Sequence, residues 1–309
     1  LVIGLSAAGA DEDWVQFRGN QAQGLADARR LPTVWSDKTN IAWKRGIPGK
    51  GWSSPVLKQG RVYLTTAVPL AGDDQAAQSL RALCLDAETG EIAWNVEVFE
   101  QPPGQRIHSK NSHASPTPII DEDRLYVHFG TQGTACLKCA DGKAIWKTRE
   151  LVYEPVHGGG GSPLLVNGLL VLNCDGGNTQ FVAALDKQTG NLVWKSERNL
   201  DPAKGFSFCT PLLIDVEGRP QIISAGSEAV VAYEPATGKP LWMVRYRGYS
   251  VVPRPVYGNG LLYVCTGYDS PTLLAIDPRG ASGDATETHV AWRLTKRVPL
   301  NPSPLLAGQ

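Results

Sequence analysis

Ala184-Leu185-Asp186-Lys187-Gln188-Thr189-Gly190-Asn191-Leu192-Val193-Trp194 sets two short apolar runs on either side of a polar segment that ends in Thr-Gly. The pattern predicts two antiparallel strands joined by a tight turn whose glycine takes the left-handed conformation, with a tryptophan at the far end. It recurs at Cys84-Leu85-Asp86-Ala87-Glu88-Thr89-Gly90 to Trp94, at Cys136-Leu137-Lys138-Cys139-Ala140-Asp141-Gly142 to Trp146, and at Ala232-Tyr233-Glu234-Pro235-Ala236-Thr237-Gly238 to Trp242. A degenerate copy runs from Ala275-Ile276-Asp277 to Trp292. Successive tryptophans stand about 50 residues apart, which is the period of all-β propeller blades.

Each unit opens with a small hydroxyl residue and a proline, at Ser54-Pro55, Thr117-Pro118, Ser162-Pro163 and Thr210-Pro211; Arg254-Pro255 changes the pattern and Asn301-Pro302-Ser303-Pro304 resumes it. An apolar strand follows, then a turn such as Asn167-Gly168 or Asn259-Gly260, then a second strand, so each unit holds four strands. Strands this short bury their faces when the units are arranged radially, and the expected fold is an all-β propeller of four-stranded antiparallel blades. In that fold the opening residues Ser54, Thr117, Ser162, Thr210 and Ser303 are expected to ring the channel. Trp43, Trp94, Trp146, Trp194, Trp242 and Trp292 are expected to dock between neighbouring blades, each covering apolar surface and offering its indole N–H to a backbone acceptor. The strand around Trp43 has no hairpin of its own. It is expected to be the outer strand of a blade whose inner strands come from C-terminal sequence.

Trp (9) exceeds Phe (6), the balance that one required Trp per repeat produces. Thirty basic and thirty acidic residues give zero net charge, which lacks the footprint of a nucleic-acid or anionic-membrane binder. No apolar run reaches the roughly 18 residues of a membrane span. Leu1-Val2-Ile3-Gly4-Leu5 followed by Ala8-Gly9-Ala10 matches the end of a secretory signal, against the alternative of an unstructured apolar terminus. Residues 1–10 are therefore expected to be the tail of a signal peptide and 11–35 a lead-in segment. Residues 36–309 are expected to be the propeller, exported to the periplasm or beyond.

The Ala-Leu-Asp-x-x-Thr-Gly-x-x-x-Trp repeat resembles the tryptophan-docking motif of the PQQ-like (pyrroloquinoline-quinone-type) propellers, and Trp14-Val15-Gln16-Phe17-Arg18-Gly19 with Gly49-Lys50-Gly51-Trp52-Ser53-Ser54-Pro55 resembles exported bacterial members. The resemblance implies seven or eight blades in a complete protein, of which about five are whole here, the propeller being cut short at its C-terminal end. It also implies one of two activities. Quinoprotein alcohol dehydrogenases use PQQ, a calcium ion, an Asp base and a disulfide between adjacent cysteines; a lipoprotein of the outer-membrane assembly machinery is a non-catalytic scaffold. No two of the six cysteines are adjacent, so PQQ is not supported by that feature, no metal site is expected, and the leading expectation is a non-catalytic binding or scaffold module. A PQQ-dependent oxidoreductase is the alternative.

Candidate contacts lie in the connections between blades, where a rigid scaffold places binding residues. Arg106-Ile107-His108-Ser109-Lys110-Asn111-Ser112-His113 combines cations and histidines in the longest of them, and Lys110, Asn111 and His113 are the candidates, against the reading of a solvated polar loop. His157-Gly158-Gly159-Gly160-Gly161 resembles the oxyanion loop of lipases, but no Gly-x-Ser-x-Gly elbow accompanies it; it reads as an interblade loop, with His157 as a contact. Arg254 breaks the hydroxyl series with a planar, permanently charged fork suited to carboxylate or phosphate. Tyr249 stands near it as an aromatic wall. The competing reading has Arg254 pairing with an acidic neighbour. The partner expected from these residues is a protein or a small anionic ligand.

Overall fold

Each Asp-x-x-Thr-Gly segment builds its turn with its own side chains. Asp186 Oδ1 accepts from the backbone N–H groups of Gln188 (2.9 Å) and Thr189 (2.8 Å) and from the Thr189 hydroxyl (2.9 Å). Asp86 does the same with Glu88 and Thr89, at 3.0, 3.0 and 3.3 Å. Gly90, Gly142, Gly190 and Gly238 then turn the chain at φ 70°, 72°, 77° and 70°, a region where a Cβ is penalised. Hydrogen bonds from the Thr189 and Thr89 backbone hold the two carboxyls below the usual range. A depressed folded-state pKa contributes stability that is complete above the unfolded value, near pH 4, and lost as pH falls through the folded one. Asp186→Asn is therefore expected to flatten the acid limb of stability below about pH 4. Urea midpoints across that range check this, and an unchanged limb would contradict it.

The computed structural model describes residues 2–3, 13–26, 31–72 and 76–308; Asp73 and Asp74, and most of segment 1–10, lie outside them. Two compact units are present, one running to Lys147 and the other beginning at Thr148. In the first, β1 (Val2–Ile3) pairs antiparallel with β2 (Trp43–Lys44), so the strand around Trp43 is matched by N-terminal residues. Two meanders follow: β3 (Val56–Lys58), β4 (Arg61–Pro69), β5 (Gln78–Asp86) and β6 (Ile92–Gln101), then β7 (Ile119–Asp121), β8 (Arg124–His128), β9 (Thr134–Lys138) and β10 (Ala144–Thr148).

The second unit continues with β11 (Leu164–Val166), β12 (Leu169–Asp175), β13 (Gln180–Asp186) and β14 (Leu192–Glu197), and with β15 (Leu212–Val216), β16 (Arg219–Ala225), β17 (Ala229–Tyr233) and β18 (Pro240–Arg245). Its third sheet contains β19 (Val256–Gly258), β20 (Leu261–Cys265), β21 (Leu273–Ile276) and β23 (Val290–Leu294). Between β21 and β23, β22 (Gly283–Asp284) leaves this sheet and pairs in parallel with Trp242–Met243 on the outer edge of β18. The inner hairpins turn at Gln59-Gly60, Asn167-Gly168, Glu217-Gly218 and Asn259-Gly260 with both residues at positive φ, the geometry that matches strand twist.

The indole rings of Trp43, Trp94 and Trp194 dock where the repeat places them. Trp43 Nε1 donates to the Ala87 carbonyl (2.9 Å), Trp94 to Cys139 (2.9 Å) and Trp194 to Pro235 (3.1 Å). Beneath these rings lie Gly90, Gly142 and Gly238, where a Cβ would come within 2.4, 2.9 and 2.4 Å of the indole. The glycine is thus required twice, by its φ and by the ring above it. Trp146 lies tilted against Tyr126 at 6.1 Å. Trp242 differs: it is 1% exposed and donates to Gln221 Oε1 (2.8 Å) within its own sheet. The cause is the insertion after Asp277, whose N–H reaches the His289 carbonyl where Asp186 reaches Asn191. That insertion displaces the Thr-Gly turn and lays β22 along Trp242 instead. Trp292 is 43% exposed, with its ring tilted against Tyr263.

His128, 2% exposed at the end of β8, pairs its Nδ1 with the Thr134 hydroxyl at 2.9 Å. Burial lowers its pKa to about 4. Because the folded value lies below the unfolded one near 6.5, the neutral imidazole contributes stability that is complete above pH 6.5 and lost as pH falls toward 4. At 1.36 kcal/mol per unit this amounts to about 3 kcal/mol. His128→Leu is expected to remove that slope, as read from thermal midpoints between pH 4 and 7.

Candidate functional site

The connections that lead from one sheet into the next are clasped to one another by their backbones. Trp52 N–H donates to the Ala114 carbonyl (3.2 Å) in the first unit, and Phe208 N–H to Val251 (2.9 Å) in the second. Two residues further on, the opening residue of one sheet donates its N–H to the opening hydroxyl of the next: Ser54 to Thr117 Oγ1 (2.9 Å), Ser162 to Thr210 Oγ1 (3.0 Å) and Arg254 to Ser303 Oγ (3.0 Å). These hydroxyls therefore act as sheet-to-sheet acceptors. Arg254 supplies no hydroxyl, and its guanidinium Nη2 donates to the Pro211 carbonyl at 2.7 Å with the side chain 1% exposed.

Above these clips in the second unit runs a row of aromatic rings, with His157, Phe206, Phe208 and Tyr249 on the connections between sheets and Tyr268 in the turn between β20 and β21 of the third sheet. His157 meets Phe206 edge to face at 4.9 Å and stacks on Phe208 at 6.3 Å; Phe206 meets Tyr249 at 5.6 Å, and Tyr249 meets Tyr268 at 6.4 Å. His157, Phe208, Tyr249 and Tyr268 are half-buried, and Phe206 is the buried member at 9%. The glycines after His157 are explained by this packing. A Cβ on Gly160 would stand 2.8 Å from Phe208 Cβ, and one on Gly161 2.9 Å from the Cys209 carbonyl. The row thus joins two of the sequence candidates, Tyr249 and His157, through Phe206 and Phe208, which sequence reading passed over. Aligning the connections on their prolines would have found them, since Phe208 takes the place that Trp52, 62% exposed, takes in the first unit.

Lys110, Asn111 and His113 lie in the first unit. Asn111 Oδ1 accepts from Ser112 N–H (2.9 Å) and the Ser115 hydroxyl (2.5 Å), and His108 Nδ1 accepts from Lys110 N–H (3.1 Å). Asn111 thereby shapes its own loop, while the Lys110 side chain is exposed.

A polar network lies beneath the aromatic row. Arg198 grips Asp175 with two hydrogen bonds, Nε to Oδ1 at 2.6 Å and Nη2 to Oδ2 at 2.9 Å, with both side chains at 1% exposure or less. Its Nη2 also reaches Ser224 Oγ (2.6 Å), which donates to Asn173 Oδ1 (2.8 Å), and Asn173 Nδ2 donates to the Cys209 carbonyl (2.7 Å). Burial pushes the Asp175 carboxyl up from its ordinary value, and the guanidinium opposes that push. The network fixes the connection that carries Phe206 and Phe208 against the preceding sheet.

The six cysteines are free thiols, and burial pushes Cys136 and Cys139 to about 11 and Cys209 to about 12, far from thiolate chemistry. Among the described residues no group of three or more His, Cys, Asp or Glu is gathered as a metal site. A cavity of about 660 Å³ lies at the turn side of the second unit, lined by Glu217, Gln221, Glu234, Leu241 and Pro278 among others; none of the candidate residues lines it. No helix among the described residues is long and apolar enough to cross a membrane.

The chain is 22% identical over 171 residues to the quinohemoprotein alcohol dehydrogenase of Comamonas testosteroni, covering 53% of this chain and 23% of that protein. It is 26% identical over 172 residues to a polyvinylalcohol dehydrogenase of Pseudomonas sp, with 52% and 23% covered. The chain thus spans about a quarter of the length of these relatives. Its fold superposes on the quinohemoprotein alcohol dehydrogenase ADHIIG of Pseudomonas putida HK5 with a TM-score of 0.61 at 15% identity, covering 92% of this chain and 48% of that one. The fold is accordingly the β-propeller of four-stranded blades. A family model described as outer membrane protein assembly factor BamB matches residues 24–149 and 84–293, and the chain belongs to this family of PQQ-like repeat propellers.

Proposed function

We propose that this chain is a non-catalytic binding module of an exported PQQ-like propeller, and that its partner is a protein held on the interblade connections. The observation that carries the reading is the half-exposed row of His157, Phe208 and Tyr249 on three consecutive connections, extended by Tyr268 from the turn between β20 and β21. Rigid aromatic side chains lose little conformational freedom on binding and supply large contact area, which is why they concentrate at interfaces. Arg254 belongs to the clip below the row rather than to the contact surface, which favours a protein partner over a small anion. The family description, an assembly factor, agrees with a role exerted through contacts. Export follows the leader-like N-terminal residues and the family. The alternative, a PQQ-dependent oxidoreductase, is favoured by the two dehydrogenases to which the chain is similar.

Site-specific photo-crosslinking in the producing cell tests the reading. A photoreactive residue at Phe208 or Tyr249 is expected to trap a discrete partner, and one at Lys187 on the turn side is expected to trap none. Equal yields from both faces, or none from either, would remove the binding assignment. Dye reduction dependent on added PQQ and calcium would establish the alternative.

A further inference from the structure

The corner where the aromatic row ends holds a cation. Lys204 Nζ stands 4.0 Å from the centre of the Tyr249 ring, donates to the Tyr249 hydroxyl at 2.9 Å and lies 3.8 Å from Asp269 Oδ2. The Tyr249 hydroxyl donates in turn toward Asp269 Oδ1 at 3.4 Å. Tyr268 packs on Tyr249, its ring 6.4 Å away and inclined by 38°. The corner is rigidly built: Tyr268 N–H donates to the Tyr249 carbonyl (2.9 Å), and a Cβ at Gly267 would fall 2.2 Å from that carbonyl oxygen.

A phenol ring face and a carboxylate are a chemical set for a cation, attracting it through ring quadrupole and Coulomb force together. We propose that Tyr249 and Asp269 recognise a guanidinium side chain on the partner protein, and that Lys204 is the internal occupant it displaces. The proposal rests on the binding-module reading and names the chemistry of its partner. Lys204 is replaceable because its contacts are open to solvent. Its side chain is 52% exposed and that of Asp269 70%, and an ion pair of this length in water contributes little while it restrains a long side chain. An incoming arginine offers a planar fork that lies on a ring face and meets the carboxylate with two N–H groups, which lysine cannot do.

The test titrates the chain with tri-arginine amide, and with tri-glutamate as control, in low salt and follows NMR shifts. Lys204→Ala is expected to tighten tri-arginine binding by roughly three- to thirty-fold over the parent, the range that a partly desolvated cation–π contact supports. In the Lys204→Ala background, Tyr249→Phe is expected to keep the gain because the ring face remains, while Tyr249→Leu and Asp269→Asn lose it. The exposed Asp269→Asn variant decides the matter if Tyr249→Leu unfolds the corner. No tightening in Lys204→Ala, equal binding of tri-glutamate, or a gain that survives Asp269→Asn would overturn the proposal. If it fails while crosslinks from Phe208 persist, the cation corner falls and the binding face stands; if those crosslinks are also missing, both fall.

Discussion

Asp175→Ala is expected to cost about 3–5 kcal/mol, because the Arg198 guanidinium would stay buried without the carboxylate that compensates it. Both groups are at 1% exposure or less and joined by two hydrogen bonds, so water cannot take over the lost contacts without opening the sheet-to-sheet junction. Removing both charges at once has a different outcome. Asp175→Leu with Arg198→Met replaces the pair by apolar volume, and the double variant is expected to be much less destabilised than the sum of the single changes. A double-mutant cycle in urea measures this. Additive losses would mean that the two side chains do not act as one unit. Since Asn173 in the same network holds the Cys209 carbonyl, the single change is also expected to raise hydrogen exchange along Phe206–Cys209.

Trp194→Ala should lose a similar amount, about 3–5 kcal/mol, as the truncation of a large buried ring. The ring is 8% exposed, covers Gly238 and donates to the Pro235 carbonyl. The deletion therefore opens a cavity and strands an acceptor in the same step. Trp292, 43% exposed, is the internal comparison, and Trp292→Ala is expected to cost under about 1 kcal/mol. Denaturant midpoints for the two variants separate these expectations. Similar losses at both positions would show that the ring's surroundings do not set its contribution.

The blades were legible because their signals are local. Asp186, Thr189 and Gly190 form a turn that needs no distant partner, and Trp194 follows at a fixed distance along the same hairpin. The register of that hairpin, with its bulge between Ala184 and Leu185, comes from the same few residues. What went unread depends on pairs far apart in sequence. Asp175 and Arg198 look like ordinary solvated charges until β12 and β14 bring them to one junction. Thr117, Thr210 and Ser303 accept backbone N–H groups from the opening residue of the preceding sheet, a pairing that no local pattern announces. Phe206 and Phe208 lie in a segment without periodicity, where the one signal is the place of Phe208 two residues before Thr210-Pro211, matching Trp52 before Ser54-Pro55. Tyr249 and His157 were found by residue type, and their connection through those two phenylalanines came from the fold.

The small strand β22 has a bearing on how the chain is made. Trp242 and Met243 receive their outer partner from Gly283–Asp284, so the edge of β18 leaves the ribosome or the translocation pore before the residues that cover it. At 5–20 residues per second the forty intervening residues take roughly 2–8 s. During that interval an apolar edge with unpaired backbone groups is open to another chain. A cell producing this propeller at high level should accumulate aggregates nucleated at that edge, and slower elongation between Tyr246 and Gly283 should increase them.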